Sequence, residues 1–114
     1  MTWQAQRAKA VEVASEIVRQ LGGERALQTM IGARCAASTI DGDPALVFSF
    51  KMSRKYNHAQ IILQRTDEYE VRLLKIDRFG RESNTKVFKR VPVENIAELF
   101  RDETGLEIRV PRFR

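Results

Sequence analysis

Lys86-Val87-Phe88-Lys89-Arg90 sets one aromatic ring among three cations. Strand alternation offers two phases for it. With Val87 and Val91 inward, Lys86, Phe88 and Arg90 share an outer face, where the ring could stack a base while its neighbours hold phosphates. With Phe88 inward, the cations only guard a sheet edge against aggregation. Lys51-Met52-Ser53-Arg54-Lys55-Tyr56-Asn57-His58 carries three cations, an aromatic and an amide on one strand connection. Those side-chain types make a phosphate clamp, and they also make an ordinary solvated loop.

Other chemistry is thinner. Asp41 and Asp43 supply oxygen ligands, but a calcium loop needs more carboxylates in a longer frame, and Asp41-Gly42-Asp43-Pro44 reads as a turn. Arg34 beside Cys35 favours a thiolate, whereas Ala36 and Ala37 suit a small buried residue. His58 is the one histidine, so a catalytic triad or a His-rich metal site has nothing to build on. No phosphate-cradling glycine loop, dinucleotide fingerprint or nucleophile elbow is present. The expectation is a protein without catalytic residues, metal or cofactor.

Charge is unevenly spread along the 114 residues, whose net charge is +5. Residues 1–32 hold four Lys/Arg and three Asp/Glu, and residues 92–114 hold four and five. Residues 33–91 hold twelve and seven, so the whole excess falls on the middle of the chain. A basic footprint of that kind suits a phosphate backbone, an acidic protein surface, or solubility alone. The 43% hydrophobic content is enough for one core and is too dispersed for a spanning helix of about 20 apolar residues. A single cysteine and no apolar leader in residues 1–10 point to the cytoplasm and away from a membrane.

The elements that must position these residues follow from periodicity. Trp3, Ala10, Val11, Ala14, Ile17, Val18 and Leu21 recur at helical spacing over Thr2 to Leu21, and Gly22-Gly23 ends that helix. A second short helix is expected from Glu24 to Met30, closed by Gly32. Strands are expected at Arg34–Ile40, Ala45–Lys51, His58–Arg65, around Tyr69–Leu74, and, after a loop from Asp77 to Asn84, at Thr85–Val91. Ala59, Ile61 and Leu63 face inward, as do Tyr69, Val71 and Leu73; Gln60, Ile62, Gln64, Arg72 and Leu74 face outward. A helix after Pro92 buries Val93, Ile96, Ala97, Leu99 and Phe100 and stops at Gly105. The expected fold is a single α+β domain: a helical segment 1–32, an antiparallel meander 33–91, a helix 92–106, and a tail or edge strand 107–114. Both N-terminal helices and the C-terminal one would pack on one sheet face.

Several blocks in order carry a resemblance: Leu21-Gly22-Gly23, Thr29-Met30-Ile31-Gly32-Ala33-Arg34, Leu46-Val47-Phe48-Ser49-Phe50-Lys51, Ile61-Ile62-Leu63 with Asp67, Tyr69 and Val71, and Glu98-Leu99-Phe100 leading to Thr104-Gly105-Leu106. Over most of residues 17–106 the chain resembles a family of small proteins encoded by phages and integrated mobile elements. The resemblance implies a bacterial or phage cytoplasm and an accessory role, and it transfers no site residue. Consecutive strands leading to a helix that opens Val91-Pro92-Val93-Glu94 also resemble, in element order, single-stranded-DNA-binding coactivator and Whirly-type domains, which work as dimers or larger assemblies.

The first functional expectation is therefore nucleic-acid binding on the outer sheet face, with single strands among the targets. Lys51, Arg54, Lys55, Arg72, Lys86, Lys89 and Arg90 would contact phosphates, and Phe88 or Tyr56 would stack. The second is a protein-binding module, such as a phage inhibitor of a host defence complex, using Ile62, Leu74 and Phe88 as an apolar patch. A homodimer is open under either.

Overall fold

An apolar period of 3.6 residues makes α1 (Trp3–Gln20) the helix that precedes the sheet. The computed structural model describes residues 3–106 except 24, 26, 29–31 and 52. Ala10, Val13, Ala14, Ile17 and Leu21 are the buried stripe of α1. Val11 is turned out and 50% exposed, so the stripe runs through Val13 instead. Gly22 and Gly23 both take positive φ, and the Gly23 N–H reaches back to the Val18 carbonyl at 2.8 Å, which closes the last turn.

Among the described residues this is the one N-terminal helix, which corrects the expected pair. Of the expected second helix, Glu24, Ala26, Thr29 and Met30 lie outside the described residues. The described residues there, Arg25, Leu27 and Gln28, are helical but do not make up a second element. It adds the fully buried Leu27 to the core. The chain leaves through Gly32 at φ +64, with the Gly32 and Ala33 N–H groups on the Gln28 and Leu27 carbonyls.

Five strands follow as a meander in sequence order: β1 (Arg34–Ile40), β2 (Asp43–Ser49), β3 (His58–Leu63), β4 (Tyr69–Ile76) and β5 (Glu82–Val91), all antiparallel. Asp41 and Gly42, at φ 53 and 85, form the two-residue turn joining β1 to β2. After Pro92 a 3-10 turn (Val93–Asn95) leads into α2 (Ile96–Thr104), which stops on Gly105 at φ 77.

Alternation sends Leu46, Phe48, Ala59, Ile61, Val71 and Leu73 to one sheet face, where they meet the α1 stripe and Ile96, Ala97 and Phe100 of α2. Phe100 lies 5.0 Å from the Phe50 ring, edge-on, and 5.8 Å from Phe48. Aromatic pairs of this geometry add about 0.5–1.5 kcal/mol beyond the area they bury. The inward sets expected for β3 and β4 hold.

The phase of β5 is settled by a bulge. Val71 pairs with Phe88, yet Tyr69 pairs with Val91, so β5 spends one extra residue opposite Glu70, and Arg90 takes φ 57. The extra residue lets both Phe88 and Val91 face the helices, although three positions separate them. Val87 points to the open face and is exposed, which corrects the phase that put Val87 inward and Phe88 outward. Ile62 and Leu74 also change role. They lie on the open face but are buried, so they offer no apolar patch to a partner. The expected edge strand at 107–114 lies outside the described residues.

Candidate nucleic-acid interface

The nine residues expected to bind fall in four separate places. Lys86 lies on the helix-covered face, where its Nζ stands 3.2 Å from the Glu103 carboxylate of α2 and 5.2 Å from the Phe88 ring. Phe88 packs against the core there, so it presents no open platform. Tyr56 is 4% exposed and belongs to the core as well. Arg72 is on the open face, where its guanidinium holds the Glu70 carboxylate at 2.6 Å and reaches Asp41 at 3.5 Å. Glu70 is the buried charged residue of the described structure, and Arg72 supplies its counter-charge.

Lys89 and Arg90 sit at the bulge. They line a groove shared with Asp43, Gln64, Arg65, Thr66, Glu68 and Glu70. Cations and carboxylates alternate through this groove, so the open sheet face does not concentrate positive charge.

The strand order does concentrate it at one end of the sheet. Arg34 pairs with Ser49, Ser49 with His58, His58 with Leu74, and Leu74 with Thr85, which fixes one row across all five strands. Beyond that row lie the β2–β3 connection, residues 50–57, and the β4–β5 turn, residues 77–81. This end carries Arg34, Lys51, Arg54, Lys55, Lys75, Arg78 and Arg81 against two carboxylates, Asp77 and Glu82. Seven cations and two acids equal the whole formal excess of five charges. The opposite end holds Asp41, Asp43, Asp67, Glu68 and Glu70 against Arg65, Lys89 and Arg90. The domain is thus polarised along its strands.

Specific bonds tie the two connections together. Asn57 donates from Nδ2 to the Ile76 carbonyl at 2.7 Å, and its Oδ1 accepts from the Ile76 N–H at 2.8 Å. Lys75 Nζ donates to the Arg54 carbonyl at 2.5 Å, and Asn84 Nδ2 to that of Lys55 at 3.5 Å. Asp77 shapes the turn, since its Oδ1 accepts the N–H groups of Phe79 and Arg81 at 2.8 and 2.9 Å. Gly80, at φ +80, supplies the left-handed residue such a turn needs.

Phe79 crowns this turn at 68% exposure. The Arg78 and Arg81 guanidinium carbons lie over its ring, 5.1 and 5.5 Å from the centre, so one exposed aromatic carries two cations. The arrangement suits a planar ring carrying a phosphate. Sequence reasoning placed Lys51, Arg54 and Lys55 correctly on an exposed loop, but passed over Lys75, Arg78, Phe79 and Arg81. The signal was local: in Arg78-Phe79-Gly80-Arg81 the glycine marks a tight turn, and an aromatic beside it has no core to enter.

Among the described residues no three His, Cys, Asp or Glu side chains are placed to hold a metal ion. No described helix is long and apolar enough to cross a membrane. Comparison with protein-family models, curated proteins and solved structures returns no match. The class this fold defines is therefore architectural, an antiparallel five-stranded meander covered on one face by helices, with a basic, aromatic-tipped end.

Proposed function

We propose that this protein is a non-enzymatic accessory protein that binds nucleic acid, preferring single strands, through the basic end of its sheet. The observation that carries this reading is Phe79, an exposed ring with Arg78 and Arg81 over it, within a seven-cation cluster. An unpaired base stacks on such a ring for about 1–3 kcal/mol, while the surrounding cations hold the backbone. A duplex keeps its base faces covered, so only the phosphate contacts would remain to it. Relative to the outer-face expectation, the site moves to the loop end, keeps Lys51, Arg54 and Lys55, and gives the stacking role to Phe79. With the resemblance to phage and mobile-element proteins taken into the proposal, the setting is a bacterial or phage cytoplasm and the role an accessory one.

Fluorescence anisotropy of labelled single- and double-stranded oligonucleotides across a salt series tests it. Binding should favour the single strand, and the logarithm of the affinity should fall linearly with the logarithm of salt. Phe79→Ala should weaken single-strand binding about 5- to 100-fold with little change in salt slope. Arg78→Ala with Arg81→Ala should flatten the slope by about 0.7 per lost phosphate contact. Lys89→Ala, at the other end of the sheet, should bind like the parent. Absence of binding at low salt overturns the proposal and leaves the basic end to an acidic protein surface.

A further inference from the structure

The sheet has two edges, and only one is defended. β5 carries Lys86, Lys89 and Arg90 and is kinked by its bulge, which are the usual devices against edge-to-edge pairing. β1 carries one charge, Arg34 at its first residue, and from Cys35 to Ile40 it has no charge, no proline and no bulge. Its hairpin register shows which backbone groups face outward. Asp41-Gly42 is a two-residue turn with both φ angles positive, so the closing pair Ile40↔Asp43 exchanges two hydrogen bonds and every second pair after it does the same. Ser38 and Ala36 thus bond to β2, and Ala37 and Thr39 direct their N–H and C=O groups away from the sheet. Among the described residues no strand lies on that side.

We propose that the outer edge of β1 pairs antiparallel with β1 of a second copy of this chain, with Ala37 opposite Ala37 on the two-fold axis. Charge selects this occupant and this direction. The strands run from a basic end to an acidic one, and antiparallel pairing sets each basic end beside the acidic end of the other copy. In this register Arg34 lies opposite Ile40 of the second copy, and Asp43 continues the same row. A parallel pairing would instead place the two clusters of cations side by side. On the helix side, the apolar groove lined by Val11, Ala14, Val18 and Leu46 runs along β1, and the two-fold axis brings the second α1 over it. Val11, half exposed in the single chain, would then be covered. The inference does not rest on the nucleic-acid reading: it stands on the backbone groups of the β1 edge, and of the seven cations at the basic end it uses Arg34 alone.

Sedimentation equilibrium over a wide concentration range, at low and high salt, tests it in the full chain. The expected result is a monomer–dimer equilibrium that weakens with salt, and at least a fivefold loss of affinity in Arg34→Asp. Ala37→Pro removes an outward N–H without touching a β1–β2 bond, so it should give a folded monomer. Should that variant unfold, a cross-link decides the matter. In a Cys35→Ala background, Ala37→Cys should form a disulfide dimer under mild oxidation, because residues facing each other in a hydrogen-bonded pair have Cα atoms about 5.5 Å apart. A parent that stays monomeric at hundreds of micromolar, as it would if residues 107–114 took the edge, overturns the proposal. So does an Ala37→Cys variant that does not cross-link.

Discussion

Replacing Asn57 by alanine should loosen the basic end before it harms the rest of the fold. The Asn57 side chain meets both backbone polar groups of Ile76, at 2.7 and 2.8 Å, and its Oδ1 also lies 2.8 Å from His58 Nδ1. Ile76 lies two residues beyond Leu74, the last β4 residue at this end that pairs with β3, so the Asn57 side chain stands in for the partner that β3 no longer supplies. The main chain of Asn57 keeps its own bonds to Phe50 and Leu74, so Asn57→Ala removes the side-chain clamp alone. A hydrogen bond of this kind contributes about 0.5–1.5 kcal/mol net, and orphaning its partner raises the loss, so two bonds to a half-buried backbone unit give about 2–3 kcal/mol. For a domain of this size that is a fall in Tm of about 10–15 °C. Asn57→Asp keeps the acceptor for the Ile76 N–H and loses the donor to its carbonyl, so it should fall between the two. Calorimetry measures the shift, and amide exchange at Ile76 locates it. A variant melting within about 2 °C of the parent, with Ile76 still protected, would refute the clamp argument.

The open-face ion pair gives a second prediction. Arg72→Met should cost about 2–3 kcal/mol by leaving the Glu70 carboxylate buried without its partner, and adding Glu70→Leu should recover most of that loss in urea unfolding. Arg90→Gly should stabilise by about 0.5–1 kcal/mol, since a left-handed backbone strains arginine and suits glycine, with the gain read from the urea midpoint. Tyr69 ionises above its ordinary value, first because burial disfavours the phenolate and then because the Glu16 and Asp67 carboxylates oppose a further negative charge. A raised pKa means that the unfolded chain gives up this proton first. The contribution is therefore complete below pH about 10 and is lost as pH rises through the folded value. An ultraviolet titration should show Tyr69 ionising late, and stability should decline on the alkaline side.

Much of this fold is written locally. Strand β1 has the boundaries its residues announce, because Asp41-Gly42 closes it as a turn. The inward sets of β3 and β4 follow from a period of two, and α2 follows from an apolar stripe that ends at a glycine. Where two phases were open, the pattern failed. In β5 Phe88 and Val91 cannot both face the core in a regular strand, and only the bulge at Lys89-Arg90, set by pairing with β4, reconciles them. In α1 the choice between Val11 and Val13 depends on how the helix rolls against β1 and β2, which no property of the helix alone decides.

The candidate site divides in the same way. Net charge, its confinement to residues 33–91, and the exposure of Lys51, Arg54 and Lys55 are properties of composition and of a loop between two strands. The shared placement is different: Arg34, Lys51, Lys75 and Arg81 are far apart along the chain and lie at one end of the sheet only because an antiparallel meander returns alternate connections to the same end. Tertiary packing likewise removed Tyr56, Lys86 and Phe88 from solvent or gave them partners, and it turned Phe79 outward beneath two arginines. The sequence by itself determined the five strands, the first and last helices, and how much charge they carry. Only the fold decided where that charge gathers, because strand pairing fixes distances that residue order leaves free.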